Sequence, residues 1–376
     1  MSQELLDLVA AHGTPLFIVD HAELRASYRR FKQHLPRVQC YFAIKANNHP
    51  EIVKTLFEEG ASFDVASWNE FMTVYENIQD WPEAERDHFV WDKIIFANTI
   101  KDRHTLAKIK PYKPLMTYDN EAELHKIKAH CDTAGVVLRL RVPDVGSQVE
   151  MASKFGCDPG EALGLLLKAK ELGLKVEGLS FHVGSQCTHF DNYVNALDIC
   201  AGITQEAKQH GILIDFIDMG GGWPVPMGEG TPTFEKLAAI INAELERHFP
   251  PEIQIAAEPG RFLVATAGTL VTEIIGKARR DGKLFYHIND GVYHTFSGVV
   301  YDHWIPNFRA LKDGPTEVVA VVGPTCDSFD KISTAELLPS TLEIGDFLVT
   351  TDIGAYSSAS STHFNGFSPA TIHHKR

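Results

Sequence analysis

Short apolar runs alternate with stretches of helical spacing from about residue 40 to residue 258. The runs at 40–45, 61–65, 94–97, 115–118, 136–141, 178–182, 216–219 and 255–258 have the length and composition of buried strands. Between them, residues 49–59, 68–78, 121–130, 159–172, 190–210 and 233–248 carry apolar positions at helical intervals. Eight strands alternating with helices over roughly 220 residues match the scale of a (β/α)8 barrel, a TIM-like fold. A doubly wound open sheet alternates in the same way, so the pattern alone leaves both architectures standing. Polar residues close the runs: Lys45, Asp64, Asn98, Asp119, Arg139 or Arg141, His182, the glycines at 220–222, and Glu258. A barrel enzyme carries its chemistry at that end of its strands. Beyond Arg261 the character changes. Residues 264–275, 283–289, 317–323 and 346–351 read as strands joined by Gly, Pro and Asp turns, which predicts a C-terminal β-rich domain of barrel- or sandwich-like form.

Composition narrows the function classes. Among 376 residues, 35 Lys and Arg against 49 Asp and Glu leave a net charge of −14, the wrong sign for a nucleic-acid-binding surface. With 44% hydrophobic and 22% charged residues the chain has ample core material. The longest apolar stretch in a strand-like region, 262–272, falls far short of the ~20 residues a membrane span needs. The acidic, amphipathic first residues lack the basic region of a secretory signal. None of the cysteines (Cys40, Cys131, Cys157, Cys187, Cys200, Cys326) forms a C-x-x-C pair, so neither a zinc site nor a disulfide framework is predicted. A cytoplasmic location is the expectation. His287, His294, His303, His373 and His374 show no metal-ligand spacing, and no metal is expected.

Several residues have the right chemistry for a site, each with a plainer alternative. Lys45 at the end of a buried run would be partly desolvated, which frees its amine as a nucleophile; otherwise it snorkels at a barrel rim. The triplet at 220–222 permits close backbone approach to a phosphate, or simply a tight turn, and matches neither a Walker loop nor a dinucleotide fingerprint. Glu258, in Glu-Pro-Gly-Arg, could hold a proton on a heterocycle nitrogen or pin a domain junction. His182 could stack on a flat ring or act as acid or base, or be a hydrogen-bonded structural residue. Cys326, in a Gly-Pro-Thr-Cys-Asp loop, could be reactive or a buried thiol.

Taken together and in order, the motifs resemble one family, the pyridoxal-phosphate-dependent fold-type III decarboxylases, the alanine-racemase-like barrel enzymes. They are YFAIKANN at 41–48, FDVAS at 63–67, FHVGSQ at 181–186, DMGGG at 218–222, EPGRF at 258–262, NDGVY at 289–293, YDHW at 301–304, GPTCD at 323–327, and GAY with FNGF between 354 and 367. Within the family the chain resembles the eukaryotic-type ornithine decarboxylases. Lys45 is followed by ANNHPE rather than the alanine-racemase Tyr-Gly-His-Gly. Tyr301-Asp302 offers an anion, suited to a bare distal ammonium rather than the amino-acid end of diaminopimelate. The chain is shorter than the eukaryotic enzymes and ends soon after FNGF.

The resemblance implies pyridoxal 5'-phosphate as cofactor, carried by Lys45. Glu258 would protonate the pyridine nitrogen, and His182 would stack on the ring. Ser185, Gly222, Gly260, Arg261 and Tyr356 would bind the phosphate, and Asp64 and Arg139 would orient the lysine and the ring substituents. Tyr301, Asp302 and Asp327 would bind substrate, and Cys326 would protonate the product carbon. It further implies a barrel over residues 20–264, with 1–19 and 265–376 forming the β-rich domain. The strand at 15–19 joins that domain in this reading. The enzyme would be a homodimer with shared active sites, acting on a small basic amino acid, with no nucleic-acid or membrane partner. The reaction implied is L-ornithine to putrescine, possibly with L-lysine to cadaverine. A lysine- or arginine-preferring decarboxylase and a non-catalytic homologue acting as a binding partner are the alternatives.

Overall fold

The computed structural model describes residues 2–226 and 232–376. The chain forms two compact units, Arg25–Phe262 and the pair of segments Met1–Leu24 and Leu263–Arg376.

Strands are numbered along the chain, so β1 (Leu16–Asp20) belongs to the second unit. The first unit is a closed parallel barrel of β2 (Val38–Ala43), β3 (Ser62–Val65), β4 (Ile94–Phe96), β5 (Leu115–Tyr118), β6 (Gly135–Arg139), β7 (Lys175–Ser180), β8 (Phe216–Asp218) and β9 (Gln254–Ala257). Closure is made by β9 beside β2, with Val38 opposite Ile255 and Cys40 opposite Ala257, which settles barrel over open sheet. Tyr41, Ile95, Leu115, Val137, Phe216 and Ala256 pack into one buried cluster. A filled interior of this kind leaves the strand ends as the place where polar side chains gather.

Several barrel helices start where a side chain satisfies the orphan N–H groups of the first turn. Ser67 Oγ accepts from Glu70 N (3.2 Å) and the Glu70 carboxylate accepts from Ala66 N (2.7 Å), so helix Trp68–Tyr75 begins on a reciprocal cap. Asn120 caps Glu121–His130 through Glu123 N (2.9 Å), and Asp102 caps Arg103–Ile109 through Thr105 N (2.9 Å). Among the described residues, helices His21–His34, Glu83–Lys93 and Arg103–Ile109, with Ser2–His12 and the short helices Arg261–Val264 and Gly298–Tyr301, lie outside the periodic stretches read from sequence. Helix His21–His34 is rich in charged and polar residues and buries Leu24, Tyr28 and Phe31, with His21 and Ser27, on its inner face. Phe31 meets Trp223 edge-on at 5.1 Å and stacks on Phe234 at 5.5 Å.

The second unit is a mixed sheet built on the long strand β10 (Gly268–Arg280). One side of β10 pairs antiparallel with β11 (Lys283–Ile288), which lies parallel to β13 (Thr316–Val322), itself antiparallel to β14 (Lys331–Pro339). The other pairs with β15 (Phe347–Thr351), edged by β12 (Phe308–Ala310). Strand β1 is antiparallel to β10 and parallel to β16 (Thr371–Lys375). Helix Ser2–His12 lays Leu5, Leu8 and Val9 against Leu16, Ile18, Val271 and Val349. Strands β12, β14 and β16 were outside the strand reading of the sequence, because KISTAELLP and TIHHK present charged and small residues rather than an apolar run. Among the described residues, no helix is long and apolar enough to cross a membrane.

Candidate active site

Charged side chains converge at the C-terminal end of the barrel. Lys45 sits in the 3-10 turn Ile44–Ala46 just past β2, not on a strand, and its side chain is 40% exposed, so it is only partly desolvated. Its ammonium is ion-paired with Asp64, fully buried in β3. The β2–β3 register, with Ala43 opposite Asp64, brings the two together. Asp64 Oδ1 is buried without a hydrogen-bond partner among the described residues.

Asp218 ends β8 and Glu258 follows β9 directly, and both are buried. The Glu258 N–H donates to Gly220 O at 2.7 Å, while the Gly220 N–H donates to Asp218 Oδ1 at 2.9 Å, so Gly220 bridges the strand ends that carry the two acids. Burial pushes the Asp218 carboxyl up to about 6. Burial, with the charges of Asp218 and Asp64 behind it, holds Glu258 well above the usual carboxylate range, and the Lys45 ammonium opposes that rise. A buried acid of this kind keeps its proton until a cation faces it.

His182 lies two residues past β7. Its Nδ1 accepts the Gly184 N–H at 3.0 Å, which places the proton of the neutral ring on Nε2. Burial, followed by Arg139 and Lys45, lowers its pKa well below the ordinary value. Gly221 is required here: a Cβ would lie 2.7 Å from His182 Nε2. Gly222 takes φ +94°, and its Cβ would lie 2.3 Å from Gly184 O. The loop is fixed by Trp223 Nε1 donating to Gly220 O (2.9 Å) and Tyr193 Oη donating to Gly221 O (3.3 Å). Arg139 ends β6 with its guanidinium 4.8 Å from the Phe155 ring centre. Burial lowers its pKa, and Glu258, Asp119, Asp64 and Asp218 oppose that. The Ser185 N–H donates to Val149 O at 2.9 Å. Gly260 packs against the turn that carries Lys45, and Arg261 is buried.

In the β unit, Cys326 is exposed, and its N–H donates to Asn365 Oδ1 at 3.0 Å. The Asp327 carboxylate accepts from Tyr293 Oη and from Phe329 N (2.9 Å), which holds its pKa below the ordinary value. Tyr293 stacks on Phe364 at 4.2 Å. Tyr301 is exposed, Asp302 is buried, and Tyr356 adopts φ 52° with its carbonyl accepting from Ser360 Oγ at 3.3 Å. Asp330 ties two motif loops together by accepting from Val292 N (2.9 Å), Thr325 N (3.1 Å) and Thr325 Oγ1 (2.7 Å). Asp290 accepts from Gly291 N (2.7 Å), Thr295 N (2.9 Å) and Thr295 Oγ1 (2.6 Å), and burial pushes its pKa up to about 7.

Lys45, Asp64, Arg139, His182 and Glu258 thus share the barrel end, while Cys326, Asp327, Tyr301, Asp302 and Tyr356 belong to the other unit. Sequence reasoning passed over Asp218, Tyr293 and Asn365, each inside a motif it quoted, and Asp330, for which the only sequence signal was its place just after GPTCD.

The barrel end fits a protonated pyridine: burial and the Asp218 and Asp64 charges hold Glu258 above the usual carboxylate range despite Lys45, a state that a cationic ring nitrogen would relieve, and the glycine loop packs its bare backbone beside His182 where a Cβ would clash. Residues 21–265 match the family described as pyridoxal-dependent decarboxylase, pyridoxal binding domain, and the chain belongs to that family. It is a pyridoxal-phosphate-dependent amino-acid decarboxylase. A lysine/ornithine decarboxylase of Selenomonas ruminantium is 34% identical over 369 residues, covering 97% of this chain and 90% of the relative. Antizyme inhibitor 2 of Xenopus laevis is 34% identical over 377 residues, covering 95% and 80%. The crystal structure of a Vibrio vulnificus lysine/ornithine decarboxylase complexed with cadaverine superposes with a TM-score of 0.90 at 34% identity, covering 99% of this chain and 98% of that one.

Proposed function

We propose that this enzyme converts L-ornithine to putrescine, with L-lysine to cadaverine as a second activity. The observation that carries the reading is the pair of acids in motif loops of the β unit: Asp302, next to Tyr301, and Asp327, held by Tyr293. A substrate with a distal ammonium needs such anions, because a buried unpaired charge is costly. One methylene separates the two substrates and discriminates by only ~1–3 kcal/mol, so both fit one pocket.

The cofactor, when bound, supplies the electron sink that makes loss of CO2 accessible. The chain supplies attachment, orientation and protons. In our reading Lys45 holds the cofactor through its amine, with Asp64 orienting that amine from β3. Glu258 keeps the proton on the pyridine nitrogen, the task its elevated pKa prepares it for. His182, neutral and fixed by Gly184, faces the ring. Arg139 orients the ring substituents. Ser185, the backbone at Gly222 and Gly260, Arg261 and Tyr356 hold the phosphate. Cys326 delivers a proton to the α-carbon after CO2 has left. The residues 20–264 form the cofactor domain and the remainder the β-rich domain of a homodimer, in which Cys326 and Asp327 of one subunit serve the site of the other.

The test is CO2 release from ornithine, lysine, arginine and diaminopimelate by the purified enzyme. Ornithine turnover equal to or above lysine supports the reading, and an arginine preference replaces it. The likeness to an antizyme inhibitor raises a second reading, a binding partner without turnover. Cofactor-bound protein that releases no CO2 from any of the four would establish that reading instead.

A further inference from the structure

At the opposite end of the barrel a cavity of about 650 Å3 lies beside helices Asp191–Gln209 and Phe234–His248. Its lining includes Thr204, Lys208, Ile214 and Phe249, from the helices and from the segments that lead into β8 and β9. Catalytic residues of a barrel enzyme do not sit at this end.

Two walls of the cavity are Asp198 and His248, and Glu244 stands one helical turn before His248. Glutamate and histidine four residues apart share a helix face, and Asp198 reaches them from the neighbouring helix. His248 Nε2 lies 2.8 Å from Asp198 Oδ1 and 3.2 Å from Glu244 Oε2, and one donor atom from each of the three residues falls within 4.8 Å of the others. Yet Nε2 is buried and forms no hydrogen bond among the described residues, so the ring is not aligned on either oxygen as an imidazolium clamp would be. Ligands bound at about 2.0–2.2 Å to one ion stand roughly 3–3.5 Å apart; the His248–Glu244 pair already has that spacing, and a small outward shift of the exposed Asp198 side chain gives it to the His248–Asp198 pair. The side chains of Glu244 and His248 are 17% and 13% exposed and that of Asp198 is 46% exposed, so the set is held on the helix side and open toward solvent.

We infer that Asp198, Glu244 and His248 form a binding site for a divalent transition metal, with water from the cavity completing the coordination. One imidazole and two carboxylates favour zinc, cobalt or nickel over magnesium or calcium, which take oxygen ligands. The site ties two neighbouring barrel helices together and is separate from the cofactor machinery. Arg247 competes for it: its guanidinium lies 3.2 Å from Glu244 and 3.8 Å from Asp198, on a side chain that is 62% exposed and free to swing outward.

The test uses the cofactor-loaded enzyme, freed of metal by dialysis against a chelator and titrated with cobalt(II). Wild type should take up one equivalent per chain, with visible ligand-field bands and a rise in Tm. His248→Gln should weaken binding at least tenfold, and Asp198→Asn, on the exposed side of the set, should do the same should the histidine variant fold poorly. Arg247→Ala should tighten binding. Decarboxylation by the metal-free enzyme should match wild type in all three variants, which separates failure of this site from failure of the proposed substrate reading. Absence of saturable uptake by wild type, or equal uptake by wild type and both ligand variants, would overturn the inference.

Discussion

Each unit buries acidic side chains, and the two sets differ in what satisfies them. In the β unit, Asp290 is saturated by backbone N–H groups and a threonine hydroxyl of its own loop, and Asp330 by the same kinds of donor from two loops. At the barrel end, Asp64 keeps one buried oxygen without a partner among the described residues, and Asp218 and Glu258 face each other as acids whose pKa values burial raises. Burying a carboxyl without donors is costly. The first set uses its donors to fix loop geometry. The second leaves capacity unspent, as expected where a cationic ligand is to complete the site. Between these two buried sets, saturation separates structural acids from functional ones, and substitution in one set should damage the fold while substitution in the other damages the reaction.

The sharpest break is Lys45→Ala. Removing the amine should lower turnover by at least about 10^3-fold and abolish cofactor retention after borohydride reduction, read by mass spectrometry, while Tm stays within a few degrees. A cofactor still trapped on another lysine would displace Lys45 from its role. Glu258→Gln comes next. An amide cannot balance a pyridinium, so kcat should fall by roughly 10^2–10^3-fold, with the cofactor still bound as judged by its visible absorbance. Near-wild-type kcat would show that Glu258 belongs with the structural acids.

On the other side of the comparison, Asp330→Ala strands the N–H groups of Val292 and Thr325 and should destabilise the β unit by about 2–4 kcal/mol. The expected readout is a lower Tm together with faster hydrogen exchange in residues 289–293 and 323–327, and unchanged stability would undo the distinction. Asp327→Asn should be milder, raising the ornithine KM roughly tenfold with a smaller change in kcat. Norleucine, which lacks the distal ammonium, should gain relative to ornithine in that variant; no gain argues against a diamino acid substrate.

The smallest effect is a slope with pH. Asp290 has a folded pKa of about 7 against an ordinary 3.8, so the folded state holds this proton more tightly than the unfolded chain. Its contribution to stability is complete below 3.8 and is lost as pH rises through about 7. Between pH 4 and pH 7 the wild-type Tm should carry a downward component that Asp290→Asn removes, measurable by calorimetry at a series of pH values. Parallel Tm curves for the two proteins would mean that Asp290 is ionised throughout.

The barrel was legible because its strands are short, apolar and ended by polar residues, and ordered spacing of eight such runs is hard to produce otherwise. Closure itself was not, since it depends on β9 meeting β2, a pairing that leaves no local mark. Lys45, His182 and Glu258 stood out as reactive types at strand ends. Asp218 did not, although it stands at the end of β8, because a strand-end aspartate beside glycines reads as part of a turn and its effect on Glu258 arises only when β8 and β9 pair and Gly220 bridges the two acids. Asp330 was harder still. Its partners lie 38 and 5 residues away, and nothing in a linear pattern reveals that one carboxylate spans two loops. Strand β16 hid behind its histidines, which a half-exposed edge tolerates and a hydropathy pattern misses.

That last strand has a temporal consequence. Strand β1 lies between β10 and β16, so its two neighbours in the sheet leave the ribosome long after it does. The barrel segment, residues 25–262, is complete in the nascent chain before either partner exists. Contacts between such distant stretches form late and slowly. During synthesis residues 16–20 are an unpaired edge in need of protection until β10 and β16 have both emerged. Pulsed hydrogen exchange on arrested nascent chains should find β2–β9 protected while β1 still exchanges freely; early protection of β1 would show that it first pairs elsewhere.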